Sequence, residues 1–390
     1  MTGLLRDVMD ARADALDVPD LDVAAMVRDG DHHLVRRRRR LAGGLVAASL
    51  VVAAGIAVPA LLPGDDVDST VAEAVHSYDL AYAVGSTIHD GPRAVETGVR
   101  IHALVQGISG YVVADQQRRV HTVVDGETTQ VGLLAETDRG RLVSDDDVVA
   151  WVDAADGGTL SVLDLATGER ADVAVDEFLG ETVPADAGQV GTAGADIAAV
   201  DGRTVYLTDV RGVMAWDALD GKDPVLIPSP EGVEVEVVDV QDGQILQVVR
   251  SFEPQETDGS TTMVQVERVR IGPDLQDTTL LPGAGGKLSP DGRSVALNDR
   301  VSRAGSLSYY TTVVGDVSSD NWTPVDPRGY DSVTAYQWLD ADTFAAWASS
   351  YTADFAREDL LSCEASTAEC TVVVRGRPDD LVGATGLMTP

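Results

Sequence analysis

The sequence predicts an all-β fold, a seven-bladed β-propeller with six or eight blades as the alternatives, preceded by one transmembrane helix. Three observations carry this reading: a turn-and-strand unit recurring at intervals of 41 to 49 residues, a second hairpin inside that unit, and one uncharged apolar stretch. That stretch separates a neutral N-terminal segment from a long acidic remainder. Of 390 residues, 44% are hydrophobic and 5% aromatic, and 29 basic against 64 acidic side chains leave a formal charge of −35. So large an acidic excess argues against nucleic acid as a partner. Two cysteines are too few for a disulfide scaffold or a four-ligand zinc site.

Residues 1–40 are read as a cytoplasmic segment of short helices or disordered chain. They hold eight basic and eight acidic side chains, so the whole net charge falls after them. Leu5, Val8, Met9 and Leu16 fall near one face of a helix over 4–16, and Pro19 ends that run. Asp22 stands close to the N-cap of a second short helix reaching Leu34. Such a segment buries no core of its own; it is either a docking piece for a cytoplasmic partner or a frayed tail. His32 and His33 have no cysteine or spaced histidine to complete a metal site.

Residues 41–62 carry no ionisable group and would span about 33 Å as a helix, enough for a hydrocarbon core. Arg36, Arg37, Arg38, Arg39 and Arg40 precede them, and the next charges are Asp65, Asp66 and Asp68. The positive-inside rule then sets a single-pass orientation in the cell membrane, with the N-terminus cytoplasmic and the acidic part extracytoplasmic. A buried core helix and a cleaved signal peptide, with Gly55-Ile56-Ala57 as its cleavage site, are the competing readings. Residues 63–74 are taken as a linker and 75–390 as the propeller.

The recurring unit begins with an Asp-Gly turn followed by an alternating strand. Asp156-Gly157, Asp201-Gly202, Asp242-Gly243 and Asp291-Gly292 are its four clear copies. Asp-Gly supplies the positive backbone angles of a tight hairpin. Looser copies at Val84-Gly85-Ser86, Asp115-Gln116-Gln117 and Asp340-Ala341-Asp342 bring the slots to seven. Within the unit, Val162 to Arg170 reads as a third strand, a Thr-Gly turn and the start of a fourth. Trp216 to Gly221 and Val269 to Asp274 occupy matching places. Four short strands in about 45 residues is the pattern of a propeller blade, and the 327 residues from Gly64 accommodate seven.

Leu288-Ser289-Pro290-Asp291-Gly292-Arg293 resembles the Ser-Pro-Asp-Gly turn of WD40-like and TolB-type propeller repeats, and the turn at 164–168 resembles their outer hairpin. The resemblance covers most of 75–376. It implies a fold and no particular activity, since propellers serve as scaffolds, receptors and enzymes. The Gly-His and Trp-Asp signatures of eukaryotic WD40 repeats are not reproduced from unit to unit.

Cys363 and Cys370 fall on the third and fourth strands of the last unit, where a hairpin would bring them together as a disulfide. An oxidising compartment fits the topology. The sequence holds no nucleophile elbow, phosphate-binding loop, His-Glu-x-x-His or EF-hand spacing, and its six histidines all lie before residue 122. Asp145-Asp146-Asp147 reads as a solvated turn with calcium binding as the sharper alternative. Trp151, Trp216 and Trp338 read as packing between sheets. Two lysines against 27 arginines suggest a GC-rich, bacterial genome. The leading expectation is a non-catalytic propeller, without cofactor, that binds a protein, peptide or envelope ligand. The alternatives are an enzyme with an acidic channel site, with or without a metal, and a transmembrane sensor or regulator acting through residues 1–35.

Overall fold

The computed structural model describes residues 78–384, apart from 136–140, 155–158, 175–195, 210–211, 258–259, 303–307, 327–328, 353–354 and 377–380. The chain divides into two compact units, Met1–Val71 and Ala72–Pro390, and the described residues belong to the second.

Seven four-stranded antiparallel sheets make up the described chain. Blade 1 contains β1 (Ala81–Val84), β2 (Thr87–Asp90) and β3 (Arg93–Glu96). Blade 2 follows with β4 (Ile101–Gln106), β5 (Tyr111–Asp115), β6 (Arg119–Val124) and β7 (Glu127–Leu133). Blade 3 is β8 (Val143–Asp145), β9 (Val148–Asp153), β10 (Thr159–Asp164) and β11 (Arg170–Ala174). Blade 4 is β12 (Asp196–Asp201), β13 (Thr204–Asp209), β14 (Gly212–Asp217) and β15 (Val225–Leu226). Blade 5 is β16 (Glu234–Gln241), β17 (Gln244–Thr257), β18 (Ser260–Gly272) and β19 (Thr279–Leu281). Blade 6 is β20 (Gly286–Leu288), β21 (Ser294–Ser302), β22 (Ser308–Asp316) and β23 (Trp322–Pro324). Blade 7 is β24 (Ser332–Trp338), β25 (Thr343–Thr352), β26 (Phe355–Glu364) and β27 (Glu369–Val374). The final strand, β28 (Leu381–Gly383), pairs with β1 and gives blade 1 its innermost strand, so the chain's two ends close the ring together.

Central strands such as β10 (Thr-Leu-Ser-Val-Leu-Asp) are buried along nearly their whole length because a neighbouring blade covers each face. The apolar side chains collect into clusters between blades. Val162 of blade 3 meets Val205 and Trp216 of blade 4, and Leu246 of blade 5 meets Val295 of blade 6. Trp151, Trp216 and Trp338 each lie in such a cluster, as their positions predict, and bury their rings there. Six of the interfaces hold eight to thirteen buried residues. The cluster joining blade 7 to the start of the chain holds four, namely Leu80, Leu339, Ala345 and Leu360. At this closure the approach is tight: a Cβ on Gly383 would stand 3.1 Å from both the Tyr336 hydroxyl and the Trp347 ring, so only glycine fits without a shift.

Seven blades agree with the sequence reading, but the strand register of the first three slots does not. Asp201-Gly202, Asp242-Gly243, Asp291-Gly292 and Asp340-Ala341-Asp342 join the first and second strands of their blades. Gly85-Ser86 and Gln116-Gln117 instead join second and third strands, and Asp156 falls in the corresponding gap between β9 and β10. Both turn types link alternating apolar strands through the same chemistry, so sequence alone does not separate them. A slip of one strand inside a blade leaves the blade count unchanged.

The membrane reading is corrected. No helix among the described residues is long and apolar enough to cross a membrane. Residues 41–62, Arg36 to Arg40 and the short helices of 1–35 lie outside the described residues. The transmembrane anchor, the single-pass topology with its cytoplasmic N-terminus, the membrane as partner and the sensor acting through 1–35 are therefore withdrawn. What the structure supports is the propeller.

Candidate functional site

In blades 2 to 7 the turn between the first two strands lies at one end of the sheet, here the lower face, and the turn between the second and third lies at the upper face; in blade 1, whose first strand is β28, the β1–β2 turn lies at the upper face. The two faces differ in construction.

The lower face is tied together by carboxylates. Asp145, the last residue of β8, accepts a hydrogen bond from the Gly202 N–H in the first turn of blade 4 at 2.7 Å. Asp201, at the same place on β12, accepts from the Gly243 N–H in the first turn of blade 5 at 3.0 Å. Asp239 repeats the device one blade on, accepting from the Leu288 N–H at 2.8 Å and from Lys287 Nζ at 3.1 Å. Asp147 reaches back to blade 2, where the Ser109 N–H and hydroxyl donate to it at 2.7 and 2.9 Å. Burial holds the Asp201 carboxyl above the usual carboxylate range, with the nearby Asp242 and Asp239 adding to the rise and the Gly243 and Asp242 N–H groups opposing it.

Tyr78 lies across the lower face. Its N–H donates to the Leu339 carbonyl of blade 7 at 2.8 Å and its hydroxyl donates to Asp146 Oδ1 of blade 3 at 3.0 Å. Burial, then Asp146, Asp145 and Asp147, push that hydroxyl far above its ordinary pKa, so it stays a proton donor. The Asp145-Asp146-Asp147 turn thus sends its three carboxylates to three different partners, in blade 4, in Tyr78 and in blade 2. Among the described residues no group of three or more His, Cys, Asp and Glu side chains could hold a metal ion. The metal-dependent channel site and calcium at this turn, both alternatives in the sequence reading, are thus not supported among the described residues.

His121 pairs with a carboxylate, its Nε2 3.3 Å from Asp115 Oδ2. That carboxylate also accepts from the Gln117 N–H, the Arg119 N–H and Arg119 Nε at 2.9, 2.9 and 2.7 Å. Burial raises its pKa, but the Arg119 and His121 bonds outweigh burial and hold it low. Asp115 therefore acts as a fixed clamp on its own turn. Cys363 and Cys370 face each other across β26 and β27 and form the disulfide, buried in the cluster between blades 6 and 7.

The upper face is uneven. Its hairpins are short in blades 2 to 4, where the second and third strands run five or six residues. In blade 5 they run 14 and 13 residues, in blade 6 nine each and in blade 7 ten each. The blade 5 hairpin outruns its neighbours: β16 last pairs at Glu234↔Arg250 and β19 at Val269↔Leu281, so beyond these points β17 and β18 form a two-stranded ribbon. Phe252 and Met263 stand on one face of it, 68% and 58% exposed. Arg250 is bound by Glu234, Glu236 and Glu267 at 3.4, 2.5 and 2.8 Å, and Arg268 by Glu253 at 2.5 Å. The sequence reading missed this ribbon. Its signal was present as a run on both sides of Asp258-Gly259 about twice the length of the hairpin arms in blades 2 to 4.

No protein-family model and no curated protein matches the chain. Solved structures are similar to it at low identity. The tricorn protease matches at 13% identity and a TM-score of 0.42, over 74% of this chain and 33% of its own. TolB from Agrobacterium tumefaciens matches at 12% and 0.35, over 80% and 96%. A prolyl endopeptidase matches at 11% and 0.49, over 78% and 50%. The chain thus spans about a third of the tricorn protease chain and half of the endopeptidase. What defines the protein is its own topology: a seven-bladed β-propeller closed by its last strand, with a latched lower face and a raised upper face over blades 5 to 7.

Proposed function

We propose that the protein is a non-catalytic binding module, acting without a cofactor, that receives a protein or peptide on the upper face of its propeller. The observation that carries this reading is the one-sided extension of the hairpins in blades 5, 6 and 7, which raises apolar side chains such as Phe252 and Met263 clear of the sheets that need burial. Exposed large apolar groups on a projecting element are unfavourable in water and mark contact surfaces. The latched lower face supports the reading from the other side, since carboxylate bonds between adjacent blades make a stiff base for a raised surface. A photo-crosslinking residue placed at Phe252 tests it, with Arg293 in a lower-face turn as the comparison. A discrete protein adduct from position 252 and none from 293, in the cells that make the protein, is the expected result. No adduct at 252, or equal adducts at both, would overturn it.

A further inference from the structure

The projecting ribbon has two free edges, and they are not equivalent. Pro254 on β17 pairs with Met263 on β18. Proline has no N–H, so this is a pair whose backbone polar groups point away from each other, outward to the ribbon's two edges. Alternation then directs outward the backbone groups of Phe252, Pro254 and Glu256 on β17, and of Thr261, Met263, Gln265 and Glu267 on β18. The tip agrees: Thr257↔Ser260 closes a two-residue connection and is a hydrogen-bonded pair, so alternation puts Gln255↔Thr262 in that class and Pro254↔Met263, three steps back, in the outward-pointing one. The β17 edge is thus interrupted at its middle by a residue that cannot donate, one of the standard protections of an exposed edge. The β18 edge has none.

From Ser260 to Val266 that edge reads Ser-Thr-Thr-Met-Val-Gln-Val, uncharged, free of Pro and Gly, and rich in β-branched residues. β19 joins β18 only from Val269 onward, and among the described residues no other strand pairs with Thr261–Arg268 on that side. An uncharged, β-branched edge of seven residues with outward donors and acceptors is a template for one more strand.

Charge selects among the strands that could add. The face that carries Phe252, Pro254 and Met263 also carries Glu256 near the tip and, at the base, Glu234, Glu236 and Glu267 around Arg250, three carboxylates to one guanidinium, so both sides of the apolar centre are net negative. The two arginines of the region are already bound to the ribbon's or β16's own glutamates. A second copy of this chain would bring another −35 to the contact, whereas a cationic strand meets unlike charge.

Resting on the binding reading above, we propose that the free edge of β18, Thr261 to Glu267, takes up an extended segment of a cationic partner protein as an added β-strand. The partner strand presents an apolar residue beside Met263 and basic residues on either side of it on the same face.

The probe is a synthetic nine-residue peptide alternating Lys and Thr about a central Val, titrated into the full-length protein by calorimetry. Its counterpart carries the same charges with two adjacent central backbone amides N-methylated, one on each edge of the strand. The protein variants are Met263→Pro, whose lost N–H points to solvent so that the four-stranded sheets stay intact, and Met263→Lys, which keeps the strand and adds edge charge. The expected result is a tenfold or greater loss of affinity for the N-methylated peptide and for both variants, with unchanged thermal unfolding. Equal binding of the two peptides would reduce the interaction to non-specific electrostatics and overturn the proposal. So would a concentration-dependent dimer of the parent protein that Met263→Pro abolishes, since the edge would then belong to a second copy. Met263→Pro placed in the Phe252 crosslinking protein separates the two claims. An adduct that persists in this variant refutes the strand edge and leaves the binding reading standing, and an adduct that disappears supports both.

Discussion

Closure by β28 makes a prediction that can be worked from the structure. Leu381 and Val382 are each 1% exposed, and successive strand residues point to opposite faces, so the two side chains fill different packing sites. Val382 lies in the cluster with Ala81, Ala83, Ile88, Ile101 and Leu104 between blades 1 and 2. Truncating a buried leucine to alanine costs about 3 kcal/mol and a buried valine about 2 kcal/mol, each including the cavity left behind. Because the two side chains fill different packing sites, the double variant Leu381→Ala/Val382→Ala loses about 5 kcal/mol as a simple sum, a large part of the roughly 5 to 15 kcal/mol that stabilises a domain. The loss is local in origin. Among the described residues β28 contributes three residues of pairing, Tyr82↔Gly383, Ala83↔Val382 and Val84↔Leu381, and the blade 7 cluster beside it is the smallest of the seven. Urea unfolding gives the magnitude, and amide exchange of Tyr82, Ala83 and Val84 gives the location. Val162→Ala on the central strand β10 is the control: it lowers the midpoint without singling out β1. A double variant whose midpoint moves by less than about 1 kcal/mol, or whose β1 amides exchange no faster than those of β10, would refute closure by β28.

Three further outcomes follow. Replacing both cysteines by alanine removes a loop closed over a sequence separation of 7 and lowers stability by about 2.5 kcal/mol, read as a urea midpoint; no change would mean the bond is idle in the folded state. Asp201 has its folded pKa raised by burial, so its contribution is fully present below the ordinary carboxylate pKa and is lost as pH rises through the raised value. Asp201→Asn should therefore gain on the parent as pH rises above about 4, the ordinary carboxylate pKa, and a difference that stays constant as pH rises would show that the group does not titrate with folding. Asp145→Ala strips the acceptor from the Gly202 N–H and costs about 1 to 3 kcal/mol, with faster exchange of the Gly202 amide as its signature; protection retained at Gly202 would rule out the latch.

Blade number was legible because a unit of four strands imposes its period on the turns, and Asp-Gly at 201, 242 and 291 marks that period openly. Strand register was not, since Gly85-Ser86 and Asp201-Gly202 answer the same local need at opposite ends of a blade. The outer hairpin at Asp164 to Arg170 was readable in detail: the Thr167 N–H donates to Asp164 Oδ1 at 3.0 Å and the Gly168 N–H to the Asp164 carbonyl at 2.8 Å, as an Asp-x-x-Thr-Gly turn requires. The Cys363–Cys370 pairing was readable for the same local reason. The latches of Asp145, Asp201 and Asp239 were hidden because each partner lies 42 to 57 residues away, beyond the reach of any turn rule. The place of β28 was hidden too, because its partner strand is at the other end of the chain.

That last pairing also orders events in time. Tyr82 and Gly383 are neighbours across 301 positions of sequence, so a chain growing from its N-terminus exposes the unpaired side of β1 until almost everything else has been made. A free search across so long a loop would be slow. Six completed blades change the problem, because each holds the next at a fixed angle and they deliver the C-terminal strand to its slot at high effective concentration. The final step then resembles the docking of a ligand already tethered beside its site. Until it occurs the nascent ring carries an open strand edge, and that interval is when the protein is most exposed to pairing with the wrong chain.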